Sequence, residues 1–135
     1  MKKKLKNEKG QAMVEFALVL PILLLVVCGI IDFGWLIFNQ LSLDNACREG
    51  ARYAAVYSEE ELCPQMTETH VKNIIAPIFE DVDVSVTYTN ITDKFSGDVV
   101  VELEAEMNIL TPVLGAINGS QKKVLTSEVV MKVES

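Results

Sequence analysis

The stretch NEKGQAMVEFALVLPILLL (7–25) sets one carboxylate, Glu15, inside an apolar run, five residues past Gly10. A central acid in hydrocarbon costs roughly 2.5–3.5 kcal/mol on insertion scales, so an acid kept there points to a partner or a task. Of three processing fates that compete for this stretch, cleavage on the cytoplasmic side between Gly10 and Gln11 is the one that gives Glu15 a task. Gln11 would become the first residue and Glu15 the fifth. The new α-amino group, with a reference pKa of about 7.7–8.0, would be largely cationic. Along a helix it would lie about 6 Å from Glu15, at 1.5 Å per residue. Three readings of Glu15 stand side by side: pairing with its own amine, pairing with a neighbouring chain's amine, and snorkelling to water at the inner interface. The second would fix axial register between helices.

The remaining reactive residue types are sparse. Three cysteines occur, Cys28, Cys47 and Cys63, with no CxxC or His/Cys spacing suited to zinc. Cys63 follows a helix break, so the chain could fold back to bridge it to Cys47; two buried free thiols are the alternative. Cys28 falls within the apolar run, facing lipid or another helix. His70 is the only histidine, and no Ser/His/Asp set, carboxylate pair or Gly-rich phosphate loop surrounds it in sequence, so it reads as a surface helix residue. EDVD (80–83) offers carboxylates for calcium but lacks a full oxygen-ligand loop and reads as a strand entry. NIT (90–92) and NGS (118–120) match a glycosylation pattern by chance. No metal, cofactor, small-molecule substrate or catalytic residue is expected, and an enzyme is not.

The elements that position Glu15 follow from charge and hydropathy. The 135 residues carry a net charge of −7, unevenly spread. Residues 1–10 hold five lysines (Lys2, Lys3, Lys4, Lys6, Lys9) against Glu8, a net +4 that leaves −11 on the rest. That acidity excludes nucleic acid as a partner, because phosphate binding needs clustered cations. From Gln11 to Ile31 Glu15 is the only charge, and 21 residues span a bilayer core of ~30 Å as a helix. The apolar run itself continues to Phe38. Lysines on one side only place residues 1–10 in the cytoplasm and everything past the span outside. Asp32 and Trp35 then sit near the outer interface. A signal peptide lacks a clean cleavage site here, and a lipoprotein reading puts bulky Val27 before Cys28. Pro21 removes the donor that Ala17 needs and is expected to kink the helix.

KGQAMVEFALVLPILLLVVCGIIDFG followed by NACREGARYAA resembles the TadE-like proteins, pilin-like (pseudopilin) components of the Tad/Flp type IV pilus system of bacteria. Lysines, a glycine, four residues and then EF form that system's prepilin cleavage pattern, and ALVLP and REGARYA resemble the TadE signature itself. The resemblance covers roughly residues 9–57 closely and the rest only in layout. It implies cleavage by a prepilin peptidase after Gly10 and a need for Glu15 in processing or assembly. It implies partners among pilin-like subunits and the Tad assembly machinery, and a place in the bacterial cytoplasmic membrane or an extracellular pilus. An uncleaved single-pass anchor carrying an outer binding domain is the alternative.

The expected layout is α+β: a cytoplasmic leader (1–10), a transmembrane helix (11–38) and an extracytoplasmic pilin-like domain (39–135). Leu36, Leu43, Gly50 and Tyr57 recur every seven residues, and Ala46, Ala51, Ala54 and Ala55 add a small-residue surface. These fit packing on the chain's own domain or, alternatively, on another subunit. Asp44, Arg48 and Arg52 run four apart on another face. SEEELCPQ (58–65) reads as a break, and MTETHVKNIIAPIFE (66–80) as a short helix over 65–79, weakly capped at Thr67 and limited by Pro77. VDVSVTY (82–88), VVVELEAEM (99–107) and VLTSEVVMKV (124–133) alternate with period two and predict three antiparallel strands. TNITDKFSGD (89–98) suits a hairpin connection. Leu110, Val113, Leu114 and Ile117 lie in a short apolar turn or helix that could cover the sheet or touch the membrane surface.

Overall fold

In a computed structural model, the structure describes residues 2–58, 62–93 and 96–133; side chains are described outside 2–8, 90–93 and 96. The charged side chains of Lys2–Glu8, the middle of the expected break at 58–65 and the centre of the expected hairpin at 89–98 therefore lie outside the described residues. The first element, α1, is one helix over Lys2–Val56. It starts nine residues before the expected Gln11, because lysine, leucine and glutamate in the leader are good helix formers. It continues through Pro21.

The two halves of α1 differ in what covers them. Nearly every residue from Lys9 to Ile31 is exposed, including Phe16, Leu18 and Ile30. This stretch is apolar on all sides and carries no stripe for a core to select. It makes α1 a helix long and apolar enough to cross a membrane. At Asp32 the pattern changes. Asp32, Asn39, Leu43, Ala46, Cys47, Ala51, Ala54 and Ala55 are buried and recur with the helical period, a one-sided stripe against the rest of the chain. The small-residue surface is thus an intramolecular packing face.

Helix α2 spans Cys63–Ile75. It opens two residues earlier than expected, with Pro64 in the first turn, where a missing N–H costs nothing. Thr67 is not a cap: it lies fully buried inside the helix. The helix stops at Ile75, before Pro77, and Ile78 and Phe79 follow in a turn that donates to the Ile75 carbonyl. Buried Cys63, Thr67, Val71 and Ile75 form the face turned to α1 and the sheet.

The sheet is an antiparallel meander in the order β1 (Val82–Asp93), β2 (Ser96–Asn108), β3 (Lys122–Lys132). Register pairs Val101 with Val86 on one side and Val129 on the other. The inner face of β2 is Val99, Val101, Leu103, Ala105 and Met107, all buried, while Glu102, Glu104 and Glu106 face outward. Val84, Val86, Tyr88, Leu125, Val129 and Met131 complete that face from the edge strands. α1 lies along this face, supplying the cover that three strands need. Between β2 and β3 a seven-residue helix, α3 (Pro112–Asn118), ends on Gly119 at φ 71°, a left-handed position glycine takes without a Cβ penalty. The layout is α+β, with a long apolar helix, a short second helix and a three-stranded antiparallel sheet.

Candidate processing site and helix–sheet junction

Gly10, Gln11 and Glu15 all lie exposed on α1, immediately after the lysine-rich start of the chain. A Cβ on Gly10 would meet nothing within 4 Å. The Gln11 side-chain amide donates to Glu15 Oε1 at 3.3 Å. That contact places residue 11 one turn below the carboxylate on the same helix face, where an α-amino group on Gln11 would also be near Glu15. The open surface around the three residues suits both access by an enzyme and approach of another helix. Pro21 lies further along the same exposed stretch.

At the point where burial begins, α1 is fastened to the sheet by polar contacts. Asp32, 2% exposed, accepts from the Thr111 backbone N–H at 2.9 Å and from the Thr111 hydroxyl. Thr111 is the N-cap residue immediately before α3. Asp32 therefore holds the β2–α3 connection against α1, rather than simply facing the interface. Trp35 Nε1 donates to the Asn108 carbonyl at 3.2 Å, and its ring stacks on Phe38 at 5.8 Å. Asn39 donates to the Trp35 carbonyl at 2.7 Å. Gln40 donates to Thr126 O at 3.1 Å and to Asp44 at 3.0 Å. The contacts of Asp32, Trp35 and Gln40 with Thr111, Asn108 and Thr126 reach residues 73–86 positions away, beyond what local spacing reveals.

Cys47 and Cys63 are both free and buried, so the considered bridge is not present. Cys47 Sγ points into the sheet, donating to Val101 O at 3.1 Å. Cys63 sits beside Ala54, with Sγ 3.7 Å from its carbonyl oxygen. Ala54 is two turns, about 10 Å, beyond Cys47 along α1, too far for a disulfide, whose Cα atoms lie within ~7 Å. Burial raises the Cys47 thiol pKa. The Tyr88 hydroxyl donates to Ala54 O at 3.2 Å and lies 3.1 Å from Cys63 Sγ. Burial, with the Cys63 contact, raises its pKa. Cys28 is half-buried on the first half of α1.

His70 stacks on Tyr53 at 4.6 Å, with Nε2 4.0 Å from Glu49 Oε1, on the α1–α2 surface. Glu80, Asp81 and Asp83 are exposed around buried Val82. Among the described residues no group of three or more His, Cys, Asp or Glu side chains could hold a metal ion. NIT (90–92) lies among residues whose side chains are not described, and NGS (118–120) is exposed at the end of α3.

Residues 10–52 match the family model described as TadE-like protein. That match runs from Gly10 to Arg52, covering the exposed half of α1 and most of its packed half. No curated protein and no solved structure matches the chain.

Proposed function

We propose, from the TadE-like segment over residues 10–52, that this chain is a minor pilin-like component of a bacterial Tad pilus, made as a precursor and cut after Gly10. The observation that carries the reading is the uncovered first half of α1, where Gly10, Gln11 and Glu15 stand open between a lysine-rich start and an apolar run. In this reading α1 spans the cytoplasmic membrane with residues 1–10 inside and the packed α+β part outside. The role is structural rather than enzymatic. Its partners are a prepilin peptidase, other pilin-like subunits and the Tad assembly machinery.

The physics of cleavage follows from the charges. Moving the uncut chain outward would drag five lysines through lipid at roughly 2.5–3.5 kcal/mol each at mid-membrane. Cleavage removes that lock. It also creates an amine on Gln11 beside Glu15, so a burial cost becomes a charge pair within one chain or between axially shifted neighbours. N-terminal sequencing of the membrane-extracted protein tests this. The expected first residue is Gln11; a mature chain starting at Met1 or Lys2 would leave an uncleaved anchor with an outer binding domain as the better description.

A further inference from the structure

We infer that α3 and the α1 surface beside it rest in the outer headgroup layer of the bilayer, fixing the height of the folded part above the membrane. The inference rests on the membrane reading of α1 proposed above. Asp32 ties Thr111, and with it the start of α3, to the position on α1 where all-round exposure ends. Outward from Gln11, that position lies about 30 Å along the helix, the thickness of the hydrocarbon core. The helix α3 is therefore level with the outer bilayer edge.

Its surface has the composition such a level selects. Ile117 is 77% exposed and Leu110 56%, and Phe33 on the adjoining turn of α1 is 61% exposed. Between α3 and α1 runs a groove of about 160 Å³ walled by Phe33, Leu36, Leu114 and Ile117. Asn118 and Lys123 also line it. A lining that joins apolar side chains to an amide and an ammonium group suits the boundary between acyl carbons and headgroups in a leaflet. The apolar surface continues from Ile31 through Phe33 to α3, so the occupant is the same lipid that surrounds the span. Trp35, with one edge bonded to Asn108, stands at the height where indoles concentrate in membrane proteins.

The test uses the full chain in phosphatidylcholine–phosphatidylglycerol vesicles, with acyl chains either plain or brominated near the carbonyl end. Trp35 is the only tryptophan, so Trp35→Phe gives a silent background. Single reporters are added by Leu24→Trp in the span, Ile117→Trp or Leu110→Trp at α3, and Val130→Trp on the outer sheet face. Leu24, Ile117, Leu110 and Val130 are each more than half exposed, so no reporter disturbs packing. The expected result is emission lowered about twofold by bromine at positions 24, 117 and 110, and unchanged at 130. Quenching at 24 without quenching at 117 and 110 would overturn the α3 contact while leaving the membrane helix standing, and would assign the patch to another protein surface. Quenching at 130 as strongly as at 117 would also overturn it, since the folded part would then lie flat on the lipid. No quenching at 24 would overturn the membrane reading itself and the inference with it.

Discussion

Asp32 shows how one side chain can carry a junction. Its two oxygens satisfy the N–H and the hydroxyl of Thr111 in a buried setting. Asp32→Ala leaves the half-buried Thr111 N–H without this acceptor, which should cost about 1 kcal/mol, the low end of the penalty for an unpartnered donor. Thermal unfolding in detergent should show that loss, while Asp32→Asn, which keeps one acceptor, should lose less. Tyr88 gives a pH-dependent counterpart. Its pKa is raised by burial, so the fold favours the neutral phenol. That contribution is complete below about pH 10, the ordinary tyrosine value, and fades as pH climbs toward the folded value. Melting temperatures measured from pH 8 upward should therefore fall less steeply for Tyr88→Phe than for the natural chain; an equal slope would remove Tyr88 from the account. From sequence, Asp32 reads only as an acid at an interface and Tyr88 only as an inward strand residue. Their partners, Thr111 and Cys63, lie 79 and 25 positions away, and side-chain spacing holds no information about such pairs.

At the scale of elements, the approach of α2 to α1 turns on Gly50. A Cβ built there would lie 2.5 Å from Val71 Cγ2, with Val101 Cγ1 at 3.6 Å and Thr67 Cγ2 at 3.8 Å. Val71 and Val101 are fully buried, so neither has space to withdraw. Gly50→Ala should cost about 1–3 kcal/mol through overpacking. Val71→Ala alone should also destabilise, by leaving a cavity. The double substitution should cost less than the sum, because each change relieves the other; strict additivity in denaturant unfolding would show that the helices separate differently. Strand faces were readable because period two is a local signal, with valines inward and Glu102, Glu104 and Glu106 outward. Strand ends were not: β1 runs on to Asp93 and β2 starts at Ser96, with Thr89 paired to Asp98 and Asp93 to Ser96 across a register shift that alternation does not signal. The start of α2 was misplaced because Pro64 reads as a breaker, although it is equally at home in a first turn.

Over the whole molecule, the uneven charge and the uneven burial describe the same division. The uncovered half of α1 needs surroundings that the rest of the described chain does not provide, while the acidic remainder builds its own core against the other half. This division was legible because it depends on composition over twenty or more residues and not on contacts. In the proposed reading, cleavage after Gly10 also has a mechanical meaning. Gly10 is exposed, and a Cβ there would meet nothing within 4 Å among the described residues, so Gly10→Leu should leave folding and membrane insertion intact while obstructing the proposed peptidase at that backbone. The uncut chain should migrate as a slower precursor and stay with the membrane when surface appendages are sheared off, held by the lysines at roughly 2.5–3.5 kcal/mol apiece. Changing the leader lysines to serines in that same uncut background lightens the lock without restoring the cut. If charge is what retains the precursor, part of it should then move outward into the sheared fraction. If it remains wholly in the membrane, retention comes from the missing amine beside Glu15, because that pair cannot form until the Gly10–Gln11 bond is broken.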